Sequence, residues 1–397
     1  MKNRRLTAAA LLVCLLCVHF VSPVSAEGTT QKLISFLENV PSSAFQAGWL
    51  SYADIQALYP GGQGTAQPFN VEEFERLAGT PEEETVLQAF SVLSAGPADL
   101  VQNLFHAREM LLSSGIDLFK VHEAMEIGLP PARQFWLRGD YDRGAVSKAL
   151  SDKGYQAIKD APAGLFAWGL EGKLDGGMDL NLQARDVSFP FGGKLGQSWP
   201  VVLRGNLLFS SPDEGAIRAV MERQEPTLAD LAPVRDMAQA AGRVSLDETG
   251  TLAQLYLLTR NAAGLDSVIP PGTQEEPFPA SPLFFLSHVF TADAQWILLG
   301  MAYPDTEAAS RAMNAMEQQY PEARSIQSGK PVSEHVAEMG GRANPPFVAT
   351  GKGGSSIVVL PFRFPLENEP APMPFRFFTG LLLTRGLGWL MDHQTAQ

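Results

Sequence analysis

Cysteine is almost absent from this sequence: the 397 residues contain two, Cys14 and Cys17, and both lie near the start. Residues 27–397 have none. This part of the chain therefore cannot form a disulfide, use a thiol as a nucleophile, or bind zinc or an iron–sulfur cluster through thiolates. Its fold must depend on a hydrophobic core, and the length suffices for two domains or one large domain.

The first 26 residues have the pattern of a secretory signal peptide. Lys2, Arg4 and Arg5 form a positive start, residues 8–21 form an apolar core, and the small residue Ala26 ends the segment. The apolar core is shorter than the roughly 20 residues that a transmembrane helix needs. The pattern predicts cleavage after Ala26 and export to the periplasm or the extracellular space.

Two other kinds of signal fit this segment less well. A twin-arginine signal would need an apolar-aromatic continuation after Arg4 and Arg5, and residues 6–8 do not supply it. A lipoprotein signal would place its cysteine after the apolar core, whereas Cys14 and Cys17 lie inside it. We therefore expect a general secretory signal.

Positive charge is scarce as well, because the chain has 30 Lys and Arg against 43 Asp and Glu, a net charge of −13. The first 26 residues hold three of the basic and none of the acidic residues, which leaves 27 against 43, or −16, after cleavage. Such a surface repels phosphate backbones, so nucleic acid is not an expected partner. With 45% hydrophobic and 18% charged residues, the chain has the composition of a globular protein.

The pattern of apolar runs and loop residues predicts an α+β fold. We expect a mainly helical region over 27–130, a first α+β domain over 131–265 and a second over 266–374. A C-terminal docked helix and tail would follow over 375–397. Each α+β domain would be a sheet with helices on one face, built from repeated strand-corner-helix units.

Three segments share this strand-corner-helix pattern: 133–155, 201–224 and 294–321. In each, an apolar run is followed by an aspartate and then by a helical stretch. Asp142, Asp213 and Asp305 are suited to accept hydrogen bonds from the free N–H groups of the following helix. The segment 42–60 is a candidate fourth copy.

The stretch "SGIDLFKVHEAMEIGLPPARQFWLRGDYD" (114–142) resembles a layout found in uncharacterised secreted bacterial proteins. In that layout a G-[IL]-D segment precedes a strand that ends in G-x-[FY]-D and leads into a helix. The resemblance implies an α+β layout and export, and it implies no activity. It covers less than a tenth of the chain.

Five histidines remain after cleavage: His106, His122, His288, His335 and His393. No two of them have the spacing of zinc ligands on one face of a helix. "HARE" (106–109), "HEAME" (122–126) and "HVAE" (335–338) each combine a histidine with a glutamate three or four residues later. We interpret these as solvated or hydrogen-bonded helix residues, and His288, inside an apolar run, as a core residue.

Other candidate sites have incomplete motifs. Asp140 and Asp142 could bind a cation, but the EF-hand glycine and glutamate are missing. "GKGGSS" (351–356) lacks the P-loop spacing and reads as a turn before a strand. "GQSWP" (196–200) has proline in place of the second glycine of a nucleophile elbow, and no S-x-x-K occurs. We therefore expect no catalytic set, metal ligand or cofactor.

The C-terminal stretch "FFTGLLLTRGLGWLMD" (377–392) is apolar but carries Arg385 and several glycines. Such a stretch favours a docked helix over a membrane anchor. We expect Phe378, Leu382 and Trp389 to be buried against the last sheet. On the other side Gly380, Thr384 and Gly388 would pack on a neighbour, within the chain or across a homodimer.

These observations favour a non-catalytic exported protein of the cell envelope that binds a protein or small ligand, or acts as a scaffold. The alternative is an envelope hydrolase that uses carboxylates, or a serine and a histidine, from distant parts of the sequence. Convergent carboxylates, or a histidine within hydrogen-bond reach of a serine in a cleft, would favour the alternative.

Overall fold

A computed structural model provides the structure of the chain. It describes residues 26–58, 68, 70–97, 100, 103–129, 133–177, 179–223, 225–259, 283–325, 328–366, 373–384 and 387. The predicted signal peptide, apart from Ala26, lies outside these residues.

The described residues form thirteen strands: β1 Trp49–Asp54, β2 Val121–Ile127, β3 Gln134–Gly139, β4 Tyr155–Ala157, β5 Phe166–Leu170, β6 Val201–Arg204, β7 Leu207–Ser210, β8 Thr251–Thr259, β9 Leu283–Phe290, β10 Ala294–Tyr303, β11 Arg342–Ala343, β12 Phe347–Thr350 and β13 Ser356–Pro365. All belong to one antiparallel sheet in the order β11, β13, β10, β9, β8, β1, β2, β3, β7, β6, β5, β4, with β12 also paired to β13. The α+β class predicted from the sequence is confirmed.

The α-helices of the described residues are α1 Ala26–Leu37, α2 Val71–Arg76, α3 Pro81–Val92, α4 Ala107–Ser114, α5 Arg143–Asp152, α6 Glu214–Glu222, α7 Ala232–Ala240, α8 Thr306–Gln319, α9 Val332–Glu338 and α10 Met373–Leu383. Short 3-10 helices accompany them over Ser42–Ala47, Gln56–Leu58, Asn103–His106, Leu118–Lys120, Leu182–Ala184, Gly193–Leu195, Leu228–Asp230 and Tyr320–Glu322.

Three aspartates cap helices as the sequence predicted. The Asp142 carboxylate accepts from the amides of Gly144 and Ala145 at the start of α5. Asp213 does the same at the start of α6, and Asp305 accepts from the Ala308 amide at the start of α8. In the candidate fourth copy, β1 is followed by the 3-10 helix Gln56–Leu58, and residues 59–60 lie outside the described part.

Helices cover both faces of the sheet, and the expectation of one covered face was wrong. All eight residues of β9 and all ten of β10 are buried. A strand that is buried on both sides needs a packed layer above and below it, because its side chains alternate between the faces. Continuous apolar runs such as "LFFLSHVF" are the sequence signal of this arrangement.

One face carries a single core that spans both halves of the sheet. Helix α1 contributes Phe36 and α7 contributes Met237, which belong to the same buried cluster as Leu50 of β1, Leu255 of β8 and Val359 of β13. On the other face α8, α9 and α10 cover one half, and α2 to α5 cover the other, as two separate clusters.

The same sheet and core thus run through both predicted α+β domains. The boundary predicted at 265/266 falls in residues 260–282, outside the described part, and the division into domains stays a prediction. Strands β1 and β2 lie within the region that the sequence marked as mainly helical, and they pair with each other near the middle of the sheet.

Helix α10 packs its apolar side against the sheet. Phe378 is fully buried and Leu382 is 5% exposed, so their predicted burial is confirmed, and Trp389 lies outside the described residues. The small-residue side points away from the chain: Thr384 is exposed, and a Cβ atom at Gly380 would have no atom within 4 Å. Close packing of this stripe within the described chain is therefore not found. Among the described residues no helix has the length and apolarity required to span a bilayer.

Candidate functional site

A serine, a histidine and a glutamate form a hydrogen-bonded row beside helix α9. Ser328 Oγ lies 2.7 Å from Nε2 of His335, and Nδ1 of His335 lies 3.5 Å from Oε2 of Glu338. His335 and Glu338 share a face of α9 because they are three residues apart. Ser328 lies in the turn before the helix, so the row joins a turn to one helical face.

The turn that holds Ser328 is fixed by backbone hydrogen bonds. Gly329 has a φ of 69°, which favours glycine, and its amide donates to Ser325 O at 2.7 Å. The Ser325 amide in turn donates to Lys330 O at 2.9 Å, and Nη1 of Arg324 donates to Gly329 O at 3.1 Å. The position of the serine hydroxyl is therefore set by the chain around it.

The histidine ring is enclosed on most sides. The side chain of His335 is 20% exposed, and the ring of Phe377 from α10 lies 5.1 Å from it, centroid to centroid. Ser328 itself is exposed, so its hydroxyl is open to molecules in solution. The C-terminal helix thus supports one wall of this site.

Lys330 controls the charge of the glutamate. Its Nζ lies 2.8 Å from Oε1 of Glu338 and 3.6 Å from Glu334. The hydrogen bond and the positive charge of Lys330 lower the pKa of Glu338, and His335 contributes less. Glu338 is therefore a carboxylate at neutral pH, and it is oriented by a cation on one oxygen and by the histidine on the other.

This geometry has the order of a serine, a base and an orienting acid. A hydroxyl that faces an imidazole nitrogen can transfer its proton to that nitrogen, and a carboxylate on the opposite nitrogen stabilises the resulting cation. The sequence marked His335 and Glu338 as a pair but not Ser328, because the hydrogen bond crosses a turn that no motif announces. Among the described residues no group of three or more His, Cys, Asp or Glu could hold a metal ion.

The "HEAME" segment is a strand, not a helix. His122 and Glu126 lie on β2, where residues four apart are separated by about 13 Å. The helical spacing considered for this pair was therefore wrong. His122 instead lies 3.4 Å from Asp140.

The two aspartates of "GDYD" face different groups. Asp140 is beside His122, whereas Asp142 caps α5. The structure thus does not bring them together on a cation. In "HARE", His106 ends the 3-10 helix Asn103–His106 and Glu109 lies in the first turn of α4. His393 lies outside the described residues.

The "GKGGSS" segment is the turn between β12 and β13, as the sequence indicated. The fully buried Asp236 of α7 accepts hydrogen bonds from the amides of Gly353 at 2.8 Å and Ser355 at 3.1 Å. A carboxylate of the protein thus occupies the amides that a phosphate would need. "GQSWP" leads into β6, and its Gln197 accepts from the Trp199 indole at 2.7 Å.

His288 is a core residue, as expected. It is fully buried, with Nδ1 3.2 Å from Gln254 and Nε2 3.2 Å from Gln295. Burial lowers the pKa of His288 to about 4, so the ring is neutral at physiological pH. Phe375 of α10 stacks on it at 5.1 Å, which ties the C-terminal helix to the sheet.

Sequence inspection missed a cluster of buried charges on the first face of the sheet. Glu123 accepts hydrogen bonds from Tyr52 at 2.6 Å and Arg138 at 2.8 Å, and Asp54 pairs with Lys32 of α1 at 2.8 Å. Burial raises the pKa of Glu123, while Tyr52 and Arg138 oppose that change. No local pattern marks these residues, because they come from four elements.

Five apolar side chains on one side of the molecule are 45% to 80% exposed; we name them the apolar group: Phe105, Leu112, Leu180, Leu182 and Val187. The last three lie in residues 171–188, an excursion between β5 and β6 in which most of the described residues are exposed. Ser113 Oγ donates to Ser188 O at 3.1 Å, so Leu112 and Val187 each lie one residue from this contact.

The excursion is ordered by hydrogen bonds. Asp186 pairs with Lys153 at 2.7 Å and accepts from the Ser188 amide at 3.0 Å. The Asn181 amide donates to Leu195 O at 3.0 Å. The apolar residues are therefore held outward on a fixed backbone.

Comparison with known proteins gives little. No protein-family model matches the chain, and no curated protein matches it. Crystal form I of TP0453 matches with a TM-score of 0.33 and 7% identity, over 90% of this chain and 97% of that one. Crystal form IV of TP0453 matches with the same TM-score and identity over 86% and 96%. A likeness this low carries no information about function.

Proposed function

We propose that the chain is an exported binding protein of the cell envelope, and that a partner protein contacts the apolar group. The observation that carries this proposal is the ordered excursion 171–188. It holds Leu180 and Leu182 outward at 60% and 64% exposure on a hydrogen-bonded backbone.

Ordered exposure is what distinguishes this surface. Loops longer than about 12–15 residues without their own secondary structure are uncommon in compact domains and are usually functional. Clustered exposed apolar residues lose free energy in water and gain it when a partner covers them. Because the excursion backbone is already fixed, little conformational entropy is lost on binding.

Export is the second part of the proposal, and the helix α1 is compatible with it. Cleavage after Ala26 would remove one residue from α1 and keep Leu33, Phe36 and Leu37, which are buried in the first-face core. N-terminal sequencing of the protein from its own cells tests this part. We expect a mature chain that begins at Glu27, and recovery of the chain with residues 1–26 attached contradicts export by cleavage.

The binding proposal is tested by capture from an envelope extract with three tagged forms of the mature chain. The double variant Leu180→Asp/Leu182→Asp disrupts the apolar group. The control Leu246→Asp changes a leucine of the same 60% exposure outside the group. We expect at least one envelope protein to be captured by the wild type and the control and to fall about tenfold or more with the double variant.

Equal capture by all three forms, or no specific capture by the wild type, overturns the proposal. Thermal unfolding of each form is measured beside the capture. Because all three substituted side chains are exposed, we expect the same unfolding temperature within about 2 °C for every form.

A further inference from the structure

The serine of the row Ser328–His335–Glu338 has contacts beyond those that a turn requires. Its Oγ accepts from the Lys330 amide at 3.3 Å, a bond that stabilises the turn. The same hydroxyl also lies 2.7 Å from His335 Nε2, and this contact adds nothing to the turn. A hydroxyl that donates to an imidazole is the starting state of a nucleophile with its general base.

We propose that Ser328 and His335 are the nucleophile and base of a site that hydrolyses carboxylic esters, with Glu338 as the positioning residue. This activity goes beyond binding at the apolar group, since the row lies on α9 and the turn before it. The reaction class follows from the groups present: a hydroxyl, an imidazole and a carboxylate, in the order used for acyl transfer.

The reaction proceeds in two balanced halves. Ser328 Oγ attacks the ester carbonyl carbon while its proton moves to His335 Nε2. The tetrahedral intermediate collapses, the bond to the leaving oxygen breaks, and His335 returns the proton to the departing alcohol. Water then attacks the acyl-serine, gives its proton to His335, and releases the acid as the proton returns to Ser328. The sum is ester and water to acid and alcohol, with no change of oxidation state.

Positive charge near the turn is suited to the developing oxyanion. Arg324 donates to the carbonyl of Gly329, which places its guanidinium beside the residue that follows the nucleophile. Glu338 stays ionised because Lys330 lowers its pKa, so it can stabilise the imidazolium that forms on His335. The exposed serine admits esters attached to large molecules as well as small ones.

The experiment uses the mature chain with a fluorophosphonate probe and with p-nitrophenyl acetate. We expect the probe to attach to Ser328, identified by mass spectrometry of the modified peptide. Ser328→Ala abolishes this label, and His335→Gln lowers both the labelling rate and ester hydrolysis by about 100-fold or more. Ser151→Ala changes an exposed serine on α5 and leaves both rates unchanged.

A spectroscopic measurement tests Glu338 separately. Long-range proton–nitrogen correlation spectra report which ring nitrogen of His335 carries the proton. We expect the Nδ1–H form in the wild type and a mixture of forms in Glu338→Gln, together with slower labelling. Absence of label at Ser328 in the folded wild type overturns the proposal. So does ester hydrolysis by Ser328→Ala or His335→Gln at the wild-type rate.

Discussion

Asp54 and Glu123 lie directly opposite each other on the neighbouring strands β1 and β2, and both are almost fully buried, at 1% and 4% exposure. Each carboxylate has its own cation, Lys32 for Asp54 and Arg138 for Glu123. Arg138 also donates to Ser35 O of α1 at 3.0 Å. The charges therefore join α1 to the centre of the sheet.

Removing one cation from this cluster should be costly. Arg138→Met leaves Glu123 buried without its charge partner, and loss of one partner of a buried pair costs about 3–5 kcal/mol. We expect a decrease of that size in the free energy of unfolding, measured with urea. Arg218→Met is the control, because its pair with Glu214 is exposed and should contribute less than about 1 kcal/mol. Equal effects of the two substitutions would contradict this account.

His288 should make stability depend on pH between about 4 and 6.5. The folded protein keeps the ring neutral because burial lowers its pKa to about 4, whereas the unfolded chain protonates it near 6.5. Its stabilising contribution is complete above pH 6.5 and is lost as the pH falls toward 4. The shift corresponds to about 3 kcal/mol.

The comparison that isolates this effect is wild type against His288→Gln, by urea unfolding at pH 7 and pH 4. We expect the difference in unfolding free energy to fall by about 3 kcal/mol at the lower pH. His106→Gln, which changes an exposed histidine, is the control. A difference that does not change with pH would refute the assignment.

Phe378 should be the main anchor of α10. It is fully buried, and its ring lies 4.6 Å from that of Phe362 on β13. Phe378→Ala leaves a cavity and should lower the free energy of unfolding by about 3–5 kcal/mol. Phe105→Ala removes a ring that is 80% exposed, and its effect should stay within about 0.5 kcal/mol. Calorimetry or urea unfolding measures both.

The helix caps offer a test of a smaller size. Asp305→Ala removes the acceptor for the Ala308 amide and should cost about 1 kcal/mol, whereas Asp305→Asn keeps an acceptor and should cost less. Urea unfolding at neutral pH resolves this difference. A loss with asparagine as large as that with alanine would show that the cap bond is not the cause.

The sequence predicted what depends on neighbouring residues. Asp142, Asp213 and Asp305 were identifiable as caps because a cap bonds to amides two or three residues ahead. His288 was identifiable as core because it lies in an apolar run. "HEAME" was misread because a short segment with few apolar residues fits either a helix or a strand, and its pairing with β1 and β3 decides the matter.

Features made by distant residues were beyond reach. Asp54 and Glu123 meet only when β1 pairs with β2, and no spacing in the sequence states that register. Ser328 reaches His335 through a turn whose shape depends on Gly329 and on bonds from Arg324 and Ser325. The single sheet was also hidden, since β1 pairs with β8 across most of the first half of the chain.

The pairing of β1 with both β2 and β8 has a consequence for how the chain is assembled. Between Asp54 and Thr251 lie 196 residues, so one side of β1 has no strand partner until β8 has been made. An open strand edge invites pairing with other chains. A protein with this order gains from being kept unfolded until synthesis is complete, and then from folding in one event. Nicking or truncation that removes β1 would expose two sheet edges at once, those of β2 and β8, and turn one molecule into two sites for aggregation.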